Sequence, residues 1–177
     1  LIAALVRKNF EVWCAAPEFE KQETRDMLHA LGAKTVTYSL QRTGINPLKD
    51  IKSIRNLKQI MHQNQIDMVF PYTIKPVIYG SIAARALDIP VISLITGLGF
   101  TFSGVNIKSK ILQQLTQLLY KYGLRKNKMV IFQNTDDRQL FLDKNILQPK
   151  QASTVVDGSG VNLERFAFRS RPKMATD

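Results

Sequence analysis

The sequence predicts a doubly wound α/β domain built on a mostly parallel, Rossmann-like sheet. Short apolar runs alternate with longer amphipathic segments along nearly the whole chain, which is the pattern of successive βαβ units. The runs around residues 68, 92 and 130 are continuously apolar, as strands covered on both faces are. With 177 residues, 45% hydrophobic and 22% charged, the chain is long enough for one domain with a sizeable core.

The elements follow in order. Residues 1–8 resemble the last turns of a helix already under way, so a preceding segment is expected. Residues 11–16 form a strand ending at Pro17, and 20–31 a helix closed by Gly32 just past its end. Residues 34–40 alternate as a strand does, with Val36, Tyr38 and Leu40 on one side. The next loop carries Gly44 and the breaker Asn46-Pro47. Leu48, Ile51, Ile54, Leu57 and Ile60 recur at helical spacing over 48–64. Residues 67–71 and 90–95 are buried strands flanking a helix over 76–87. The small residues of that helix, Gly80, Ser81, Ala83 and Ala84, allow close packing. A strongly amphipathic helix over 107–123 precedes a strand at 128–133, a short helix at 136–145 and a last strand at 153–156. The tail from Ala167, with Arg169, Arg171, Pro172 and Lys173, has the composition of a linker.

Composition narrows the function. The formal charge is +11, and no acidic residue occurs from Ile89 to Thr135, a stretch carrying Lys108, Lys110, Lys121, Arg125, Lys126 and Lys128. Such a balance points to an anionic partner. Nucleic acid is disfavoured, because the basic residues are not interleaved with exposed aromatics and no recognition motif occurs. The apolar stripe of the 107–123 helix admits two readings, a plain core-facing helix or one lying partly in a membrane interface with its lysines on anionic lipid. No apolar run reaches the roughly 18–20 residues of a membrane span. The single cysteine, Cys14, lies in an apolar run and is expected to be a buried, inert thiol. No metal motif, phosphate-binding P-loop or nucleophile elbow is present. His29 and His62 fall within helices, and Asp136 and Asp137 fit the opening turn of a helix.

In a doubly wound sheet, ligands bind beyond the C-terminal ends of the strands. The candidate binding residues are the polar ones placed there: Arg42 and Asn46; Tyr72, Thr73 and Lys75; Thr96, Gly97, Leu98 and Gly99; Asn134; and Gly158, Ser159, Gly160 and Val161. The Thr96–Gly99 loop offers main-chain N–H groups and a hydroxyl to a phosphate or sugar. It is equally a tight turn needing glycine. It is not a dinucleotide fingerprint, because Phe102 stands at the third glycine position. Arg42 and Lys75 suit a diphosphate, although each is also an ordinary solvated loop charge.

These segments also carry a resemblance. Residues 1–13 are similar to the first helix and second strand of the retaining glycosyltransferases of family 4, with Asn9-Phe10 in place of the usual Gly-His. Residues 90–100 resemble the strand and glycine-rich loop of the members that act on polyprenyl-diphosphate sugars. Asn134-Thr-Asp-Asp-Arg-Gln-Leu-Phe141 resembles the family's N-x-x-D-x-x-x-F junction. Gly158–Phe166 resembles its G-[SN]-G-V-D-x-x-x-F signature, with Asn162 in place of Asp. Arg42–Pro47 resembles the R-x-x-x-N-P loop of bacterial galactosyl- and N-acetylgalactosaminyltransferases.

The resemblance implies the N-terminal, acceptor-side half of a two-Rossmann (GT-B) enzyme. Residues 1–166 would form the domain and 167–177 a linker towards a donor-binding domain. The family's central first strand would precede Leu1. The complete enzyme would move a sugar from a UDP-sugar to a lipid-linked saccharide, with retention and without metal or cofactor, on the inner face of the plasma membrane. The loops at 42–46, 72–75 and 96–100 would hold the acceptor, and Asn134 with Gly158–Val161 would face the donor. Lys108, Lys110, Lys121, Arg125 and Lys126 would touch the membrane. The rivals are a non-catalytic anion- or membrane-binding domain and an enzyme like UDP-N-acetylglucosamine 2-epimerase.

Overall fold

The computed structural model describes residues 1–41, 46–97, 107–161, 163, 164 and 166. Five strands and six helices follow one another among them: α1 (Ile2–Arg7), β1 (Trp13–Ala16), α2 (Gln22–Ala30), β2 (Lys34–Thr37), α3 (Pro47–Gln63), α4 (Ile74–Arg85), β3 (Ile92–Ile95), α5 (Ile107–Leu124), β4 (Met129–Phe132), α6 (Thr135–Asp143) and β5 (Ser153–Val155). Every strand pairing is parallel, as crossover helices require. β1 pairs with β2, and β3, β4 and β5 form a second sheet in that order. Among the described residues no strand joins the two sheets.

The strand expected over 67–71 is reduced to two isolated parallel bridges, Val69 to Val91 and Tyr72 to Leu94. Pro71 supplies no N–H to a ladder, but its carbonyl accepts from Leu94 N at 3.0 Å. The segment therefore still lies along β3 and delivers Tyr72 to the same rim as the strand ends.

The helices α3 to α6 gather over one face of the second sheet, the face bearing Ser93, Ile95, Val130 and Phe132, all buried. Tyr120 of α5 and Phe132 of β4 each meet Phe141 of α6 edge-on, with centroids 5.2 Å apart. Such pairs add about 0.5–1.5 kcal/mol beyond area burial. The alternate residues, Ile92, Leu94, Met129 and Ile131, are only half-buried. Complete cover on both faces, expected from the continuous apolar runs, is thus achieved on one face by the described residues.

The small residues of α4 allow the close approach the sequence predicts. A Cβ on Gly123 of α5 would stand 3.3 Å from the main chain of Ile78. Beneath this contact Ser81, Ser93 and Asn127 form a buried polar knot. The Asn127 amide donates to Ser81 Oγ at 3.0 Å and to Ser93 Oγ at 2.6 Å. These groups escape the cost of unpaired burial by satisfying one another.

α5 departs from the plain core-facing reading. Its buried positions are Thr116, Tyr120, Gly123 and Leu124. Four residues of its apolar stripe, Ile111, Leu115, Leu118 and Tyr122, are 61%, 39%, 64% and 47% exposed. The first turn of α3 differs in the same way, with Leu48 and Ile51 exposed. Cys14 is half-buried, and desolvation pushes its thiol above the ordinary value, which suits an unreactive side chain.

Candidate functional site

Because the strands are parallel, their C-terminal ends lie on one rim of each sheet. The rim of the second sheet carries, in spatial order, residues 72–75, 96–97, 133–134 and 156–160. The loop after β2 is tied to this rim by Lys75, whose Nζ donates to the carbonyl of Gln41 at 2.7 Å. A second tie runs from Ser39 N to the Asn56 side chain of α3 at 2.8 Å. The sequence-predicted residues that are described at strand ends therefore come together.

They do not all have free side chains. Lys75 also pairs with the Asp50 carboxylate at 3.5 Å, with side chains only 16% and 10% exposed. It lies 5.9 Å from the centroid of the Tyr79 ring. Burial, with a contribution from Asp50, pushes the Tyr79 phenol well above its ordinary value. Asn46 caps α3, its side chain accepting from Lys49 N at 3.2 Å, while Asn46 N donates to Asp50 at 3.1 Å. Pro47 at the first helical position completes a strong start signal. Asn134 caps α6 in the same manner, accepting from Asp137 N at 2.7 Å and donating to the Asp137 carboxylate at 3.0 Å. Asp136 and Asp137 lie in that helix's first turn, as expected.

The residues left open at the rim are Tyr72, 59% exposed, together with Thr73, Thr96 and the 158–161 segment, all exposed. Thr73 has φ +66°. That is a costly conformation for a β-branched residue, worth about 1–3 kcal/mol of strain. It sits at the N-cap of α4 without a side-chain cap bond, and no acidic residue occupies the first turn. The dipole of α4 is thus presented uncompensated to the rim. Gly97 at φ +140° and Gly158 at φ +75° have nothing within 4 Å of where a Cβ would stand. Backbone conformation, and not crowding, explains glycine there. Arg42, Leu98 and Gly99 lie outside the described residues, as does the side chain of Lys108.

Three participants escaped the sequence reading. Gln133 donates to Ser159 at 2.7 Å, binding the loop after β4 to the loop after β5; no local signal marks it. Asp50 and Gln41 hold Lys75. The Asn46-Pro47-x-x-Asp50 spacing, close to a capping box, was a usable hint for Asp50. Among the described residues no group of three His, Cys, Asp or Glu side chains is placed to hold a metal ion. His29 bonds Thr35 at 2.9 Å on the surface, remote from the rim.

A family model described as glycosyl transferase 4-like matches residues 1–134. The chain belongs to this family. Among curated relatives, the glycosyl transferase 4-like chain is 26% identical over 168 residues to the N,N'-diacetylbacillosaminyl-diphospho-undecaprenol alpha-1,3-N-acetylgalactosaminyltransferase of Campylobacter jejuni, covering 94% of this chain and 43% of that one. It is 28% identical over 127 residues to an Escherichia coli UDP-Gal:alpha-D-GlcNAc-diphosphoundecaprenol alpha-1,3-galactosyltransferase, covering 70% of this chain and 30% of that one. The chain therefore spans less than half the length of these relatives. Acinetobacter baumannii MurG shares its fold, with TM-score 0.56 at 18% identity over 91% of this chain and 41% of that one. A UDP-N-acetylglucosamine 2-epimerase does so at TM-score 0.53 and 15% identity, over 85% of this chain and 40% of that one.

Proposed function

We propose that the chain is the acceptor-side half of a retaining GT-B glycosyltransferase, which transfers a sugar from a UDP-sugar to a polyprenyl-diphosphate-linked saccharide. Residues 1–166 form the domain and 167–177 lead to a donor-binding domain. The enzyme works on the cytoplasmic face of the plasma membrane as a peripheral protein. The observation that carries this reading is the convergence of the strand-end loops on one rim in a chain of this family. The alpha linkages and diphosphoundecaprenol acceptors in the names of both relatives support it.

The chemistry open at the rim suits an acceptor. Tyr72, Thr73 and Thr96 offer an aromatic surface and hydroxyls to a saccharide. The uncapped start of α4 favours the anionic diphosphate beside it. Lys75 acts through what it holds, tying Gln41 and, by way of Asp50, Asn46 to the start of α4. Gln133 and Ser159 brace the donor side, where Gly158 and Gly160 let the chain turn towards the second domain. Departure of the nucleotide diphosphate carries the barrier, so electrostatic stabilisation of that group dominates the rate.

The test is transfer from a radiolabelled UDP-sugar to a polyprenyl-diphosphate sugar by the full-length protein. Turnover is expected, and Tyr72→Ala should raise the acceptor KM by about tenfold, the worth of one contact of about 1.4 kcal/mol, without changing the unfolding midpoint. Release of a 2-epimerised sugar would move the protein to the epimerase class. Absence of any turnover with all UDP-hexoses would leave an anion-binding domain.

A further inference from the structure

We infer that the outward face of α5 is a lipid-docking surface, seating the domain on an anionic phospholipid bilayer with its apolar stripe at the headgroup–acyl boundary. The choice of a lipid surface rests on the proposed lipid-linked acceptor. Ile111, Leu115, Leu118 and Tyr122 are separated by four, three and four positions. At 100° per residue they fall within an arc of roughly 60° and run about 16 Å along the helix. All four are exposed, while on the opposite face Gly123 packs on Ile78 of α4 and Tyr120 and Leu124 are buried.

Charge complementarity names the occupant. α5 contains no acidic residue, and the 89–135 stretch around it contains none. Lys110 and Lys121 lie together on one flank of the stripe, about 80–100° round the helix. At its end two guanidinium groups converge on one ring, Arg85 and Arg125 each 4.4 Å from the centroid of Tyr122. No carboxylate pairs with Lys110, Lys121 or Arg125 among the described residues. Two cations gathered on a half-exposed tyrosine, neither paired with a carboxylate among the described residues, suit the phosphate level of a membrane. There an amphipathic ring sits between tails and headgroups. A depression of about 300 Å³ beside it, lined by Leu118, Lys121, Tyr122, Arg125 and Ile146, has the same mixed character.

The geometry connects this surface to the rim. α5 links β3 to β4, so its first turn lies on the side of Thr96 and its last on the opposite side. A bilayer against the stripe runs parallel to α5, with the rim at the end of the helix that bears its first turn.

The test is partition of the full-length protein onto vesicles of phosphatidylcholine and phosphatidylglycerol in a ratio of about two to one, against pure phosphatidylcholine. Lys121→Gln with Arg125→Gln should weaken binding by roughly 30-fold, about fivefold per cation. Ile111→Ser with Leu118→Ser should weaken it by roughly tenfold or more. Both variants should keep the wild-type unfolding midpoint, because the replaced side chains are exposed. Equal binding to both vesicle types, no binding to either, or an unchanged Ile111/Leu118 variant would overturn the inference. So would a wild-type dimer that Leu118→Ser converts to a monomer, which would make the stripe a contact between copies. Transfer activity in detergent without vesicle binding would sink this surface alone; vesicle binding without transfer would sink the transferase reading alone.

Discussion

Replacing Lys75 by Met removes a cation from a site where its partners cannot rehydrate. Asp50 is 7% exposed. One of its carboxylate oxygens accepts from Asn46 N, and the other faces the Lys75 ammonium at 3.5 Å. At that distance the gross attraction is about 5 kcal/mol for an effective dielectric constant near 20. Much of this is spent on desolvating the two ions. Removing one member of a fully buried pair costs about 3–5 kcal/mol. Because these side chains retain 16% and 10% exposure, the cost falls at or just below the lower end of that range, about 2–3 kcal/mol including the lost bond to the Gln41 carbonyl. For a chain of this length that corresponds to a fall in Tm of about 5–10 °C. Asp50→Asn should cost less, because a neutral amide still accepts from Asn46 N. The double variant should recover at least about 1 kcal/mol of the summed single losses, the signature of direct coupling. Chemical denaturation of the four proteins measures it. If Lys75→Met stayed within about 0.5 kcal/mol of wild type, the pair would contribute nothing. Lys75 would then be a free rim cation available to a diphosphate.

Burial, with a smaller contribution from Tyr72, pushes the Tyr38 phenol to about 12 from its usual 10. The folded state then holds a proton that the unfolded state loses, so stability is fully present below pH 10 and declines as pH rises from 10 to 12. Tyr38→Phe should flatten that part of a Tm-against-pH curve, and an unaltered slope would refute the assignment. Gly123→Ala gains about 1 kcal/mol of helix propensity but drives a methyl against the Ile78 main chain, at about 1–3 kcal/mol. A net loss of about 1 kcal/mol in urea denaturation is expected, and a stabilised variant would show that α4 and α5 part easily. Asn134→Ala should lose about 1 kcal/mol through the α6 cap. Unchanged stability would mean that Asn134 is free for the donor side.

What was legible in the sequence was periodicity and punctuation. The helices over 2–7, 22–30, 47–63, 74–85, 107–124 and 135–143 fall close to where apolar spacing and caps place them, because both signals are local. What was not legible was orientation. Ile111, Leu115, Leu118 and Tyr122 look like a core stripe in sequence. Which side of α5 is buried was decided by Gly123, whose missing side chain admits α4. Lys75 looked like a loop charge because its partner Asp50 lies on another helix, 25 positions earlier in the sequence. The 67–71 run shrank to two bridges, a long-range pairing outcome that apolarity alone does not fix.

The knot of Ser81, Ser93 and Asn127 has a consequence at a distance. A helix surfaced with glycine, alanine and serine is smooth, and dispersion alone would let it slide along a sheet with little penalty. Hydroxyl and amide groups hidden beneath it match in one position only, so they act as a detent. Ser81 lies seven residues, about 10 Å, behind the start of α4. The detent at the rear of the helix therefore aims Tyr72 and Thr73 at its front, and a fault there would be read as a misdirected acceptor.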